Sequence, residues 1–332
     1  MSFTATHPQV AKGRLTNRGI MVTGIENTTG EKSEQKIVLW QPAFISRFRE
    51  FDIDRGFFLQ DCALFRGLPN SVYHSIQAFS SGIMGQMDKN LAYTKWRLDH
   101  FGMEKKTPAM SFGSAAHACC LGDPDWDRYV RMPELNLRKK DDQAERDWYH
   151  LTYGADYCID QNDYDNILAI RAALWNHPQA KIFLAAMEEI ELSTFWLWES
   201  SLWPRAILNK ARYDGYCPSL GAIIDLKTTL DASPKAFSYE IEDRRYFRQA
   251  AQYLSGAAAL GLPVDRFIFI AVEKTPPFSI GVYALSPRAV KKGIDERDDH
   301  LSKLAGALES GVWPDYTSND FLELDLPPRA YL

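Results

Sequence analysis

The chain has 332 residues and a net charge of −5, with 45% apolar and 13% aromatic residues. This composition is typical of a globular protein with one large domain or two ordinary ones. No uninterrupted apolar run approaches about 18 residues, so no membrane span is expected. The first residues, Met1–His7, lack the basic and apolar pattern of a secretory signal, and we expect a cytoplasmic protein.

The cysteine spacing and the negative net charge limit the classes of site and ligand that the chain can have. The five cysteines are never in C-X-X-C spacing, which predicts reduced thiols and supports neither a zinc site nor a disulfide framework. The net charge is unfavourable for DNA binding, because affinity for phosphates normally needs a basic surface. It does not exclude DNA binding, since a bound metal ion would offset part of an acidic cluster and local basic groups exist.

The N-terminal half predicts an extension followed by helices. Residues 1–60 are poorly periodic, and we interpret them as an N-terminal extension of unknown role that precedes a single domain, 61–332. Ser80 and Ser81 can cap a helix that starts near Gly82. Further helices are predicted at about 91–100, 112–122, 138–150 and 163–175.

The C-terminal half is rich in predicted strands. Three consecutive antiparallel strands are predicted at 192–198, 206–213 and 221–227. Apolar residues at near-helical spacing then predict a helix over 244–260. Two further strands, at 266–272 and 279–285, precede a final helix at 287–309.

The most informative segment is Gly221–Thr229, a β-branched run that contains Asp225-Leu226-Lys227. Asp225 and Lys227 share one face of a strand, because strand side chains alternate with period two. Asp214 ends the preceding apolar segment, and Cys217–Gly221 has the composition of a turn. A hairpin through this turn can bring the two carboxylates together.

Two carboxylates this close repel each other unless a cation lies between them. Hard oxygen ligands suit Mg²⁺ or Mn²⁺, which bind phosphate oxygens and lower the pKa of bound water. Lys227 could orient that water or stabilise the charged phosphate. An isolated Asp-X-Lys is usually only a charged strand end, but the spaced Asp214 and the helix that follows favour the catalytic interpretation.

Other residues support the same chemistry. Gln249 and Tyr253 are four positions apart and therefore share a helix face, where an amide and a phenol can donate to a phosphate. His117, on an apolar helix, is either a core histidine or a nitrogen ligand, which would favour Mn²⁺ somewhat more. Glu191, at the start of the first strand of the three, is a further candidate to hold a metal ion or a bridging water.

Local basic residues could supply the missing affinity for DNA. Lys210 and Arg212 share a strand face with the proposed site, and they are predicted to contact DNA. Arg244, Arg245 and Arg248 lead into the helix of Gln249 and are predicted to do the same. The run Arg138–Lys140 is more typical of a solvated face.

In this order, the motifs resemble those of the PD-(D/E)XK nuclease superfamily, and most closely its RecE-type exodeoxyribonuclease VIII branch. The matching segments are Phe112–His117, Asp214, Asp225–Lys227 and Gln249-X-X-X-Tyr253, with Gly67–His74 and Gly311–Pro314 as boundary motifs. The resemblance covers about 67–330. It implies a restriction-endonuclease-like α/β core with a central mixed five-stranded sheet flanked by helices.

The resemblance also implies roles for single residues and a biological context. The metal ligands that it implies are His117, Asp214, Asp225, the Leu226 carbonyl and Glu191. Lys227 would be the catalytic lysine, and Gln249 and Tyr253 would contact the phosphate. Similar enzymes use Mg²⁺ to degrade linear double-stranded DNA in the 5′→3′ direction as homo-oligomeric rings. They often act with a single-strand annealing protein in phage or prophage recombination.

Two alternatives stay open. The same core could belong to a structure-specific endonuclease, because the chemistry of the site is shared. It could also belong to a catalytically silent DNA-binding assembly protein, although the retained Asp214, Asp225 and Lys227 argue against this. A nucleotide-driven motor is disfavoured, since no G-X-X-X-X-G-K-[ST] loop is present.

Overall fold

The computed structural model describes residues 12–16, 19–23, 35–37, 56–59, 62–102, 107–200, 203–317 and 321–331. Most of the predicted N-terminal extension, 1–60, therefore lies outside the described residues. Within the extension, a small antiparallel sheet is formed by β1 (Lys12–Thr16), β2 (Gly19–Thr23) and β3 (Gln35–Ile37).

A seven-stranded sheet lies at the centre of the domain. It contains β4 (Gly56–Leu59), β5 (Cys62–Phe65), β8 (Glu189–Ser200), β9 (Trp203–Cys217), β10 (Ala222–Thr229), β11 (Arg266–Glu273) and β12 (Ile280–Ala284). Their order across the sheet is β12-β11-β10-β9-β8-β5-β4, and only β10 and β11 are parallel. Two short strands, β6 (Val130–Arg131) and β7 (Cys158–Ile159), form a separate parallel pair. The central sheet is mixed, as predicted.

This sheet has seven strands, whereas five were predicted. The additional strands β4 and β5 form a hairpin, and β5 pairs with β8, placing Cys62 opposite Trp196. The pairing covers a row of backbone N–H and C=O groups that an edge strand would otherwise expose. The boundary predicted after residue 60 falls between these two paired strands.

Helices flank the sheet on both faces. They are α1 (Asn70–Ser75), α2 (Ser81–Met87), α3 (Leu91–Asp99), α4 (Pro108–Leu121), α5 (Lys140–Tyr153), α6 (Gln161–Asn176), α7 (Pro178–Ala185), α8 (Pro234–Asp243), α9 (Tyr246–Ala259) and α10 (Pro287–Ser310). The short helices α1, α7 and α8 were not predicted, although Pro178 and Pro234 at first helical positions are start signals. None of the helices in the described residues is long and apolar enough to cross a membrane.

The two inner strands β10 and β11 divide the core in two. Ile224 and Leu226 lie in one core with residues of α4, α6 and α7. Ile223, Phe267 and Phe269 lie in a second core with residues of α8 and α9. Because both faces are covered, these strands are near-continuous apolar runs, and a charged residue within them stands out.

The position of α9 is fixed by α10. A Cβ atom added at Gly293 of α10 would lie 2.3 Å from the Phe247 carbonyl oxygen of α9, so only glycine permits this contact. At the same N-terminal end of α9, Arg245 adopts a φ of 56° between α8 and α9. These two features fix the distance between the start of α9 and the sheet. At this distance the Gln249 side chain contacts Asp225 of β10.

Candidate active site and metal centre

The predicted hairpin of β9 and β10 forms, and it carries Asp214 and Asp225 at opposite positions. The recorded pairing of the two strands ends with Ile224 opposite Gly215, so the next positions are the two aspartates. At this point the Leu226 amide donates to Asp214 Oδ2 over 2.8 Å. The carboxylate of Asp214 thus replaces a backbone acceptor where the strands separate.

Glu191 of β8 and Asp214 of β9 lie between the strand pairs Ile190–Gly215 and Leu192–Tyr213, so the register brings them side by side without a regular pairing. Its φ of 50° is in the left-handed region, which is uncommon for a residue other than glycine and is often found at functional sites. Its neighbours Ile190 and Leu192 pack into different cores, although residues two apart in a regular strand share a face. Three carboxylates therefore occupy one row across β8, β9 and β10.

His117 reaches the same place from α4, where buried alanines allow the helix to pack close to the sheet. Its Nε2 atom lies 2.6 Å from the Leu226 carbonyl oxygen, which can only accept, so Nε2 carries a proton. Its Nδ1 atom faces Asp214 Oδ2 at 3.3 Å. In the neutral tautomer the Nδ1 lone pair is free for a cation shared with Asp214. The Leu226 carbonyl, predicted as a ligand, here orients the imidazole.

Asp225 is fully buried and is held by two side chains. Lys227 Nζ lies 2.5 Å from Oδ2, and Gln249 Nε2 donates to Oδ1 over 2.7 Å. The same nitrogen donates to the Tyr253 hydroxyl over 3.1 Å. Because an amide has only two N–H groups, this arrangement favours a positioning role for Gln249 over the predicted contact with phosphate.

The electrostatics of the cluster show excess negative charge. Burial raises the pKa of Asp225 to about 6, although Lys227 opposes the rise. Burial also raises the pKa of Glu191 to about 7, and the Asp214 carboxylate adds to this effect. Burial lowers the pKa of Lys227, but Asp225 and Asp214 outweigh it and the net shift is upward. Lys227 is therefore an ammonium group at neutral pH.

The donor set fits a divalent cation. Ligand atoms of His117, Glu191 and Asp214 lie within 4.8 Å of one another. Asp225 Oδ2 is buried, and among the described residues its recognised partner is the Lys227 ammonium at 2.5 Å, an ion pair that lacks the angles of a regular hydrogen bond. Carboxylates with one imidazole suit Mg²⁺ or Mn²⁺. Asp225, also predicted as a ligand, lies outside the group of three.

Lys210 and Arg212 are buried, so this placement does not support the prediction that they contact DNA. Lys210 Nζ donates to the carbonyls of Tyr73 and Ile76 over 3.0 and 2.7 Å. The Arg212 guanidinium lies 3.5 Å from Glu191. Lys210 Nζ and the Arg212 guanidinium each lie 4.5 Å from the centre of the Tyr73 ring. They hold the segment around α1 against β9, and Arg212 also holds Glu191.

The three arginines before and within α9 differ in exposure. Arg248 is buried between Asp88 and Glu296, at 2.7 and 2.5 Å, and this placement does not support the predicted contact with DNA. Arg244 and Arg245 are exposed and stay candidates for contact with DNA. The run at 138–140 is also exposed, as expected for a solvated face.

Two aromatic residues of the site were not predicted. Lys227 Nζ lies 4.7 Å from the centre of the Tyr246 ring. Tyr246 precedes Gln249 by three positions and Tyr253 by seven, so helical spacing alone could have placed all three on one face. Tyr73, between its two cations, had no signal beyond its place in a boundary motif.

A mixed sheet with helices on both faces, an aspartate on one strand and Asp-X-Lys on the next defines the PD-(D/E)XK class of proteins. The chain belongs to the family described as a PDDEXK-like domain of unknown function (DUF3799), whose model matches residues 80–321. Family membership confirms the resemblance to this superfamily and its restriction-endonuclease-like fold.

The solved structures that match the chain include the following two. One is a protein from Eubacterium rectale described as an inferred exonuclease, with a TM-score of 0.51 and 16% identity over 80% of this chain and 97% of that one. At this identity the similarity shows the fold alone. The other, SSO0001, has a TM-score of 0.27 and 14% identity over 63% of this chain and 83% of that one, too low for any conclusion. No curated protein sequence matches significantly.

Proposed function

We propose that this protein is a metal-dependent deoxyribonuclease that degrades linear double-stranded DNA from its ends. The observation that carries the proposal is the position of Lys227, whose ammonium lies 2.5 Å from the buried Asp225. The cluster of His117, Glu191 and Asp214 lies beside this pair. Hydrolysis of a phosphodiester needs cationic groups at such a site, because negative charge develops on the phosphate oxygens. Family membership supports the nuclease activity, and the description of the E. rectale protein supports the exonuclease form.

The residues of the chain have separate tasks in this reaction. His117, Glu191 and Asp214 would hold Mg²⁺ or Mn²⁺, which when bound polarises the phosphate and lowers the pKa of water. Lys227, as an ammonium group, can neutralise a phosphate oxygen and is not suited to accept a proton. Gln249 keeps the carboxylate of Asp225 in one orientation.

The test uses linear duplex DNA, labelled on opposite strands at one end, and covalently closed circular DNA. Each is incubated with the full chain in Mg²⁺ or in EDTA. We expect metal-dependent loss of the linear DNA alone, with the 5′-labelled end released first if the direction is 5′→3′. The matched control is Lys227→Met, which should leave both substrates intact.

Other outcomes would replace the proposal. Cleavage of closed circles would make the protein an endonuclease on the same core. Binding without cleavage in Mg²⁺ or Mn²⁺ would make it a silent assembly protein. The homo-oligomeric ring and the single-strand annealing partner stay predictions, and the mass of the protein in solution tests the first of them.

A further inference from the structure

Outside the site, α3 presents a row of stacked aromatic rings to solvent. Tyr93 and Trp96 have ring centres 6.0 Å apart and planes inclined by 25°. Trp96 and His100 have centres 4.7 Å apart and planes inclined by 26°. We name these three residues the aromatic ladder. Trp96 is 50% exposed, whereas Thr94 and Leu98 of the same helix are buried, so the ladder lies on the face directed away from the core.

The ladder is accompanied by positive charge. Lys89 Nζ lies 4.2 Å from the centre of the Tyr93 ring, and the Arg97 guanidinium lies 6.0 Å from that of Trp96. Residues 88–102 contain three Lys or Arg and two Asp or Glu, which gives a local charge of +1 in a chain of −5. The aromatic surface is therefore on a locally cationic segment of an acidic protein.

The ladder ends close to the strand that carries the catalytic acid. Gln77 Nε2 donates to the Leu98 carbonyl over 2.8 Å, which holds the end of α3 against the segment of Gln77. Two residues later, Phe79 pairs with Asn209 of β9 through an isolated β-bridge. Phe101, which follows the ladder, has its ring centre 5.8 Å from Lys210 Nζ. Lys210 precedes Asp214 by four residues on β9, a distance of about 13 Å along a strand.

We propose that the aromatic ladder is a stacking surface for single-stranded nucleic acid. Exposed rings next to cations bind unpaired bases through stacking and the backbone through charge, with little dependence on sequence. Duplex DNA cannot use the rings, because its bases are already stacked on each other. The inference rests on the proposed function in one respect: a nuclease that removes one strand leaves the other unpaired beside the site.

A second exposed tryptophan, Trp148, differs from Trp96 in the charge of its surroundings and is therefore a useful comparison. Trp148 of α5 is 53% exposed and contacts Tyr149 and Tyr153. It lies on α5, which has four acidic residues, Asp141, Asp142, Glu145 and Asp147, against two basic ones, Lys140 and Arg146, for a net charge of −2. Those carboxylates would repel a phosphate backbone, so Trp148 is equal in exposure to Trp96 but unsuited to nucleic acid. It is therefore the matched control.

The experiment measures binding of a fluorescein-labelled oligothymidylate and of a duplex of equal length by fluorescence anisotropy. EDTA is present throughout, so that no strand is cut. Trp96→Ala should raise the Kd for the single strand about tenfold, within the range for loss of one stacked base. The Kd for the duplex should stay within about twofold. Trp148→Ala should change neither value.

A second variant tests the charge separately from the rings. Lys89→Gln should reduce the slope of log K against log salt by about 0.7 for the single strand, the value for one lost phosphate contact. Circular dichroism and thermal melting verify that each variant is folded. Lys89 is exposed, so this arm does not depend on the folding of Trp96→Ala.

The results separate the ladder from the nuclease. Single-strand binding by Trp96→Ala equal to that of the wild type, or an equal loss in Trp148→Ala, would overturn the ladder. If the wild type did not bind the single strand at all, the proposal would also be overturned, and the ladder would be a candidate surface for a protein partner. Ladder-dependent binding by a protein that cuts nothing in Mg²⁺ would overturn only the proposed function.

Discussion

Gln249 and Asp225 are joined by a hydrogen bond of 2.7 Å, in which the amide nitrogen of α9 donates to the buried carboxylate of β10. This bond couples the helix to the row of acids. The other oxygen, Oδ2, contacts Lys227. The Asp225 carboxylate is therefore held by a neutral amide on one oxygen and by an ammonium group on the other. The orientation of Asp225 therefore depends on where α9 lies.

Gln249→Ala should lower kcat by about 10- to 100-fold, as is typical when a residue that orients a metal-site carboxylate is lost. The melting temperature should fall by only several degrees, because loss of one donor to the buried Asp225 carboxylate costs about 1–3 kcal/mol while Lys227 still holds its other oxygen. Steady-state cleavage kinetics and a thermal melt measure the two effects. Gln179→Ala, at an exposed position of α7, is the control. A large loss of stability with normal kcat would contradict the positioning role.

Lys227→Met should abolish cleavage and also destabilise the protein by up to about 3 kcal/mol, since it leaves Asp225 buried without its cation. The double variant Asp225→Asn/Lys227→Met should recover much of the stability but none of the activity. Urea denaturation of the three proteins gives the free energies of unfolding. If both variants were equally unstable, the ion pair would not be the cause.

His117→Ala should raise the Mn²⁺ concentration needed for half-maximal thermal stabilisation by about 10- to 100-fold. The expected cause is loss of the nitrogen whose lone pair faces Asp214. A titration of melting temperature against Mn²⁺ measures it, with His150→Ala as control. An unchanged titration would mean that His117 only packs against the Leu226 carbonyl.

Stability should depend on pH through Lys210. Burial lowers the pKa of this lysine to about 7, from its ordinary value near 10.5 in an unfolded chain. Between these values the unfolded state binds more protons than the folded state, so the free energy of unfolding rises with pH, by about 1.4 kcal/mol per unit. The neutral amine keeps two N–H donors for the carbonyls of Tyr73 and Ile76.

The measurement compares the wild type with Lys210→Met by urea denaturation at pH 7 and pH 9. The wild type should gain stability relative to the variant at the higher pH. Because both proteins share the other titrating groups, the contributions of those groups to the pH dependence of stability cancel in the difference. A difference that is independent of pH would show that the buried lysine does not titrate in this range.

Gly293→Ala should destabilise the protein by about 1–3 kcal/mol, because the new methyl group meets the rigid Phe247 carbonyl at 2.3 Å. Gly85→Ala is the matched control, since Gly85 is helical and has no atom within 4 Å of the added Cβ. It should stabilise by up to about 1 kcal/mol through helix propensity. Thermal melts of both variants give the comparison. Equal effects would show that α9 and α10 can move apart.

The sequence predicted most of the elements that carry the site, for identifiable reasons. β10 and β11 are apolar runs, and α10 has a Ser286 cap, Pro287 at its start and Gly311 at its end, signals that need no tertiary information. The added hairpin of β4 and β5 was not predicted, because its pairing with β8 depends on a partner more than 100 residues away. Such pairing leaves no local signal.

The sequence motifs predicted which residues belong to the site, but not which partners each side chain contacts. The period of a strand placed Asp225 and Lys227 together, and a helix turn placed Gln249 beside Tyr253. The burial of Lys210 and Arg212 could not be foreseen, because it depends on α1 closing over β9. The turn of the backbone at Glu191 is equally invisible in the sequence, since a glutamate rarely adopts a positive φ.

The bond between the Leu226 amide and the Asp214 carboxylate places two independent demands on position 214. One is chemical, and the other is the completion of a sheet where two strands part. A descendant of this chain that had lost nuclease activity would still need an acceptor there, and would keep Asp or change to Asn. Position 227 has a structural demand only while Asp225 is charged, because its ammonium compensates that buried carboxylate. After loss of activity, residues 225 and 227 could therefore change together to neutral side chains, whereas position 214 would still need a hydrogen-bond acceptor.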